Sequence, residues 1–469
     1  MVAQTSFLDS RPASSIIKPF MAEKSIVLLV DNRQRDLLAT TLIARHLKEL
    51  GVVCHLEPLE SYQGALAAWR PHMMIFNHLT ASHLAKYSKR LHDMGVLTTV
   101  LTNEGITYDA ELLKFIVGSH HSNAHIDLFL CWNREMKKAM EELNAFPMAK
   151  KEVVGIPRFD FYRRPWAKLF EEKKRPAGSR PRVLVCTNFA FADYRDIPEA
   201  AEVFFAALKD RLPVFRDYRA LIEVHYQNRL KVTAYLNELA RARKWDVIMR
   251  PHPYEKIDFY KAWYDQLPAD QKEFVRLDKE SNITGLILNT DLQVSCETCT
   301  TAMEGWIAEK PSIELTFAKH PVFFHEEHAR QQPLCDQPAE LVSLVETALK
   351  NPAQPEYAAG RRAHLEKWCH TPDGNSSRIV AEKIAAALRD HPEPDWSKLT
   401  ATDRRRSVKL KLTRTIGEAY HFDPTLPLKH WLAPKKYAVK HFTYQKSIRP
   451  GDVIETQERL ENSLLSTND

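Results

Sequence analysis

Arg250-Pro251-His252-Pro253 follows an apolar run at 245–249. The two prolines fix φ and remove two amide donors, so this turn is stiff. A stiff turn can present the Arg250 guanidinium and the His252 ring to an anion such as a nucleotide phosphate. The plainer reading is a capped loop with a solvated arginine, and the coincidence of stiffness with a strand end favours the site. A second segment, Val294-Ser295-Cys296-Glu297-Thr298-Cys299-Thr300-Thr301, joins a strand to a helix. Backbone amides at such a helix start hold phosphate without any glycine. Ser295, Thr300 and Thr301 add hydroxyls, although Ser and Thr serve there equally as ordinary caps. Glu304, one turn in, fits a capping box with Thr301. In the first half of the chain, Asn103-Glu104-Gly105 closes the apolar run 96–102. Its carboxylate suits an acid or base as well as it suits a solvated turn. Thr187-Asn188-Phe189, with Asp193 just beyond, opens another loop, and Gly155-Ile156-Pro157-Arg158-Phe159-Asp160 suits a hinge salt bridge as well as a substrate contact.

These segments need elements to hold them. SIVLLVD (25–31), HMMIFNH (72–78), VLTTVLTNEG (96–105) and IDLFLCWN (126–133) read as buried strands, and helical patterns separate them. Strand–helix alternation of this kind means a parallel sheet covered on both faces. RRPWAKLFEEKKRPAGSRP (163–181), charged and rich in Pro and Gly, reads as a linker. A second alternation then runs through RVLVCTNFA, WDVIMRPHP, FVRL, LQVSCE and SIEL. The expected organisation is an N-terminal extension (1–24), a Rossmann-like acceptor-side domain (25–162), the linker, a Rossmann-like donor domain (182–390) and a C-terminal extension (391–469). In open sheets of this type, ligands bind beyond the carboxyl ends of the strands, where the segments above fall.

Composition narrows the chemistry. With 13 glycines in 469 residues, and none after the first strand, neither a dinucleotide fingerprint nor a phosphate-cradling P-loop is present. NAD-dependent and ATP-hydrolysing functions are thereby disfavoured. Cys296-x-x-Cys299 lacks the second ligand pair a zinc site needs. Histidines 320, 325 and 328 read as packing or hydrogen-bonding residues, so no metal is expected. Seven scattered cysteines fit reduced thiols. The first residues lack the pattern of a signal peptide, and no apolar run is long enough to span a bilayer, so a cytoplasmic location is expected. The net charge of +6 is concentrated in residues 401–450, which hold twelve Lys or Arg against Asp403, Glu418 and Asp423. With interleaved aromatics, that segment suits anionic lipid headgroups or a solvated charged face. No nucleic-acid motif accompanies it.

One ordered set ties these segments together: Glu104-Gly105, Gly155-x-Pro-Arg-Phe-Asp160, Thr187-Asn-Phe189, Arg250-Pro-His-Pro253, Cys299-Thr-Thr301 with Glu304, Lys310-Pro311 and Asp373-Gly-Asn-Ser-Ser377. That order resembles the bacterial surface-carbohydrate (capsule and lipopolysaccharide) glycosyltransferases, GT-B-like enzymes related to the retaining β-Kdo transferases. It covers about 95–380, and departs from the family where Asn103 precedes Glu104 and Ile156 stands for Asn. The resemblance implies an α/β GT-B-like fold, two doubly wound domains facing a cleft, and no cofactor beyond a nucleotide-sugar donor, CMP-Kdo being one candidate. Arg250, Asn188, Ser295, Thr300, Thr301 and Glu304 would hold the donor. Glu104, His252 and, in a retaining reaction, Asp193 would be catalytic. The acceptor would be a glycan or a lipid-linked precursor. A CDP-polyol phosphotransferase of the teichoic-acid-like class and a non-catalytic membrane-associated scaffold are the alternatives.

Overall fold

Fully apolar runs too short for helices become the central strands. The computed structural model describes residues 24–120, 122–173 and 175–465. The 1–24 extension lies outside the described residues except for Lys24. Six parallel strands, β1 (Ser25–Val30), β2 (Val53–Pro58), β3 (Met73–Phe76), β4 (Leu97–Leu101), β5 (Leu128–Cys131) and β6 (Lys150–Val153), form one sheet in the order β2-β1-β3-β4-β5-β6. A second parallel sheet holds β7 (Arg182–Cys186), β8 (Asp246–Arg250), β9 (Val275–Leu277), β10 (Leu292–Cys296), β11 (Ser312–Leu315) and β12 (Leu334–Cys335), in the order β12-β11-β10-β7-β8-β9. β1, β3, β5 and β10 are buried at nearly every position because helices cover both faces. The chain is therefore two Rossmann-like halves, the two-domain GT-B plan.

Helix starts follow local chemistry. After β1 the Asn32 side chain accepts from the amides of Gln34 and Arg35, capping the helix Arg33–Glu49 where a nucleotide fold would place glycines. The residues 163–181, read as a linker, are partly structural, with Trp166 and Ala167 buried beside Leu42 and Phe161. The region 197–243, helical by its pattern, holds two helices, Pro198–Lys209 and Tyr218–Ala242, with a short turn at Pro213–Phe215 between them.

The halves are bound together by chain that crosses back. The helix Ser376–Leu388, placed with the donor half on sequence, buries Val380, Ala381, Ile384 and Leu388 against β1 and β3 of the first sheet. Its pull on that core is apolar burial, which no sequence boundary signals. At its start the buried Asp160 carboxylate accepts from the amides of Ser376 at 2.9 Å and Ser377 at 2.7 Å. Of the two readings open for this segment, the hinge salt bridge between Arg158 and Asp160 does not form: Asp160 is committed to this helix start, and Arg158 donates to the Asn103 carbonyl oxygen. Burial raises the Asp160 pKa to about 6. Asp160→Ala is expected to lower stability by about 2 kcal/mol, the cost of two stranded buried amides, measured as a shift in urea midpoint. The helix Ala401–Thr415 also joins the first half. It packs so closely on Tyr62–Trp69 that a Cβ on Gly64 would sit 2.8 Å from the Arg406 carbonyl oxygen. Among the described residues no helix is long and apolar enough to cross a membrane.

Candidate functional site

The carboxyl edges of both sheets open onto one cavity of about 350 Å³. Arg35, after β1, and Glu104, after β4, line it from the first half, together with Arg158. Thr187 after β7, Arg250 and His252 after β8, and Thr300, Thr301 and Glu304 after β10 line it from the second. A larger groove of about 1310 Å³ runs past Arg134, Lys310 and Arg361, but Glu135, Glu309 and Asp373 share it and none of these strand-end loops enters it. The strand-end cavity is the candidate site on chemical grounds.

Arg250 is held by its Nη1 on the Asp278 carbonyl oxygen at 3.1 Å, with the Asp278 carboxylate 4.0 Å away. Burial lowers its pKa, and the Asp278 charge opposes that shift. Burial, with the Lys279 and Arg250 charges behind it, lowers His252 to about 4. Its Nδ1 accepts from the Tyr254 amide at 3.2 Å, which places the proton of the neutral ring on Nε2. His252 therefore offers a neutral Nε2–H donor, not a cation. Ring-nitrogen NMR at pH 6 is expected to show that tautomer, and an imidazolium at pH 6 would refute it.

Glu255 fixes this loop, and sequence reasoning missed it. Its buried carboxyl accepts from Thr187 Oγ1 at 2.8 Å, the Phe189 amide at 3.0 Å, the His252 amide at 3.1 Å and the Tyr260 hydroxyl. One side chain thus joins the Thr-Asn-Phe and Arg-Pro-His-Pro segments. The only signal was its place two residues after Pro253, in a stretch that otherwise reads as a surface turn.

The helix Thr300–Ile307 starts from Cys299 with no side chain bonded to its first amides. The expected Thr301–Glu304 capping box is absent. Glu304 instead accepts from the Tyr162 hydroxyl and faces the Arg158 charge. Burial raises its pKa, while Arg158 and Tyr162 oppose. Arg158 donates to the Asn103 carbonyl oxygen at 3.1 Å and lies 4.8 Å over the Trp132 ring. It thus stands beside the Glu104 turn on one side and Glu304 on the other. Thr301 Oγ1 is buried by the Cys186 and Cys299 thiols. Burial pushes Cys299 up to about 11, which leaves it protonated and a poor nucleophile.

Ahead of that helix, Glu297 and Thr298 adopt left-handed φ of +57° and +43°. Such a conformation costs roughly 1–2 kcal/mol per non-glycine residue. Buried Glu314 holds it, accepting from the Thr298 amide at 2.7 Å and Ser295 Oγ at 2.6 Å.

The structure brings together Glu104, Arg250, His252, Thr300, Thr301 and Glu304. It does not bring in the others. Ser295 is turned into the protein by its bond to Glu314, which removes its hydroxyl from any donor. Asp193 is outside the cavity lining; Arg229 holds its carboxylate at 2.6 Å and the Lys256 amide donates to it at 2.9 Å. Asn188 is half-buried and also outside the lining. His328 is buried with its Nδ1 2.7 Å from the Tyr108 hydroxyl, while the His325 ring packs on Tyr108.

No protein-family model matches the chain, and no curated protein matches its sequence. Its outline is similar to that of several solved structures. A Listeria monocytogenes protein assigned as a UDP-N-acetylglucosamine 2-epimerase shares 9% identity at a TM-score of 0.47, over 80% of this chain and 99% of that one. Acinetobacter baumannii MurG shares 11% identity at 0.37, over 77% and 99%. A Rickettsia africae glycosyltransferase shares 12% identity at 0.43, over 79% and 100%. At this level of likeness the architecture rests on the two sheets themselves, and the chemistry on the cavity.

Proposed function

We propose that this chain is a glycosyltransferase that moves a sugar from a nucleotide donor onto a bacterial surface-polysaccharide precursor. One observation carries the reading: the carboxyl edges of two facing parallel sheets enclose a single cavity with Arg250, His252 and an uncapped helix start on one wall and Glu104 on the other. Arg250, the His252 Nε2–H, the Thr300 hydroxyl and the amides at Thr300–Thr301 hold the donor phosphate. The bond between the sugar and the phosphate oxygen breaks, and its electron pair leaves with the nucleotide. The acceptor hydroxyl oxygen bonds to the sugar carbon, and its proton passes to the Glu104 carboxylate. Arginine charge stabilises the leaving phosphate, so this reading needs no metal or other cofactor. Glu304 and Arg158 shape the floor rather than react, since Tyr162 already occupies the Glu304 carboxyl. The reading places the work on the cytoplasmic side of the inner membrane, beside the lipid-linked precursors of such polymers.

Calorimetry with CMP, UDP and dTDP, followed by turnover with CMP-Kdo, UDP-sugars and CDP-glycerol, tests the proposal. The expected result is binding of one nucleotide and its release from the matching sugar donor, lost in Glu104→Ala. Release of CMP from CDP-glycerol would select polyol-phosphate transfer instead. No nucleotide binding, with full activity nowhere in the panel, would sink both.

A further inference from the structure

Residues 401–450 are basic as a block, and the structure separates the charges that hold the fold from those turned outward. On the inward side of the helix Ala401–Thr415, Asp403 takes Arg90 and Arg414 Nη1 donates to the buried Glu57 at 2.7 Å. The opposite side carries Val408, Leu412 and Ile416, four residues apart and all exposed. The helices Leu426–Leu432 and Pro434–Lys446 follow, joined by a stack of His430 on His441 at 4.1 Å. Of the first, only Leu426 is buried. Leu428, Trp431, Leu432 and Phe442 are 59%, 76%, 66% and 61% exposed. Scattered exposed leucines need no explanation, but a tryptophan this bare among neighbouring apolar side chains does.

We propose that these two helices, with the outer stripe of Ala401–Thr415, dock on an anionic lipid bilayer. Docking there sets the cleft mouth toward the membrane, so that the acceptor is drawn from lipid. The acceptor part rests on the sugar-transfer reading of the cleft; the docking rests on the surface alone.

Charge selects the occupant. Each acid of the block is engaged: Asp403 by Arg90, Glu418 by Tyr444 at 3.1 Å and Asp423 by Lys429 at 3.0 Å. Arg404, Arg405, Lys411, Lys436 and Lys440 form no ion pair among the described residues. Apolar wedges ringed by unpaired cations match the boundary between acyl chains and anionic headgroups, where tryptophan also prefers to sit. A second copy fits the wedges less well, because a two-fold contact would press the same cations against one another.

The position of these helices supplies the orientation. Lys446 Nζ lies 2.6 Å from Asp31 Oδ1, just past the end of β1. Asp31 also pairs with Arg35 at 3.2 Å, and Arg35 reaches Glu104 in the cleft at 3.9 Å. The end of the helix Pro434–Lys446 is therefore tied to the carboxyl edge of the first sheet, on the acceptor side.

Flotation of the full chain with phosphatidylcholine vesicles, with and without phosphatidylglycerol, is the test. The chain is expected to float only with the anionic vesicles, and less as salt rises. Trp431→Ala with Leu432→Ala, and separately Lys436→Gln with Lys440→Gln, should each weaken partition about tenfold or more, with circular dichroism and nucleotide affinity unchanged. Absence of wild-type flotation, or equal flotation by both variants, overturns the docking. So does a dimer in sedimentation that Trp431→Ala with Leu432→Ala dissociates. Nucleotide calorimetry on the same preparations reports separately on the cleft: flotation without nucleotide binding supports docking and sinks the transferase reading, and binding without flotation does the reverse.

Discussion

Arg250→Ala is expected to lower donor turnover by about 100-fold, the typical loss when one fixed donor to developing charge is removed. Arg250 is not a loose surface cation. Its strand ends at the cavity, Pro251 stiffens the next peptide, and the Asp278 carbonyl holds one guanidinium nitrogen. The guanidinium thus fixed lines the same cavity as the Thr300 helix start, where a phosphate would lie. Arg250→Lys is expected to recover little, because a point charge on a flexible stem replaces a planar fork. Stability should change slightly in both variants, since one hydrogen bond to a carbonyl is worth about 1 kcal/mol. Nucleotide affinity by calorimetry and initial rates with the matching donor check this. Unchanged affinity and rate in Arg250→Ala would remove the guanidinium from the donor phosphate and the carrying observation from the proposal.

Much of the frame was legible because apolar run length is a direct imprint of two-sided burial. β1, β3, β5, β7 and β10 read as strands from their residues alone, and strand ends pointed to Arg250, His252, Thr300, Thr301 and Glu104. What escaped was decided by contacts distant in sequence. Asp193 looked free for catalysis until Arg229, thirty-six residues on, claimed it. Ser295 and Glu304 were expected to hold the donor, with local capping as the plainer reading, yet their partners are Glu314 and Tyr162. The helix Ser376–Leu388 follows the second domain without a break in pattern, and only its packing on Ile26 and Ile75 assigns it to the first. Glu255 is the instructive miss. A glutamate in a turn reads as solvated, whereas three donors from two loops and the Tyr260 hydroxyl of the following helix converge on it. Local pattern reveals elements; it does not reveal which buried acid holds two of them together.

Another buried acid makes the second large effect. Glu297 sits at the end of β10 with its Oε1 accepting from Asn228 Nδ2 at 2.7 Å. Burial first, then the Asn228 bond in opposition and the nearby Glu314 charge, leaves its pKa raised to about 8, from 4.5 in an open chain. Glu314 is itself raised to about 7 by burial. Below pH 4.5 Glu297 is protonated whether the chain is folded or not, so it adds no pH-linked penalty there. Between about 4.5 and 8 the unfolded chain ionises while the folded group keeps its proton, and stability falls by up to 1.36 kcal/mol per unit of pH. Glu297→Gln removes that titration, keeps the oxygen that accepts from Asn228, and tolerates the same left-handed φ. The variant is expected to match the wild type near pH 5 and to exceed it by about 2–4 kcal/mol at pH 9. Urea midpoints at the two pH values measure it. A difference between the two proteins that is the same at pH 5 and pH 9 would show that Glu297 ionises as easily in the folded chain as in water, and that the loop before Cys299 is not the closed, desolvated base on which the phosphate-binding helix start depends.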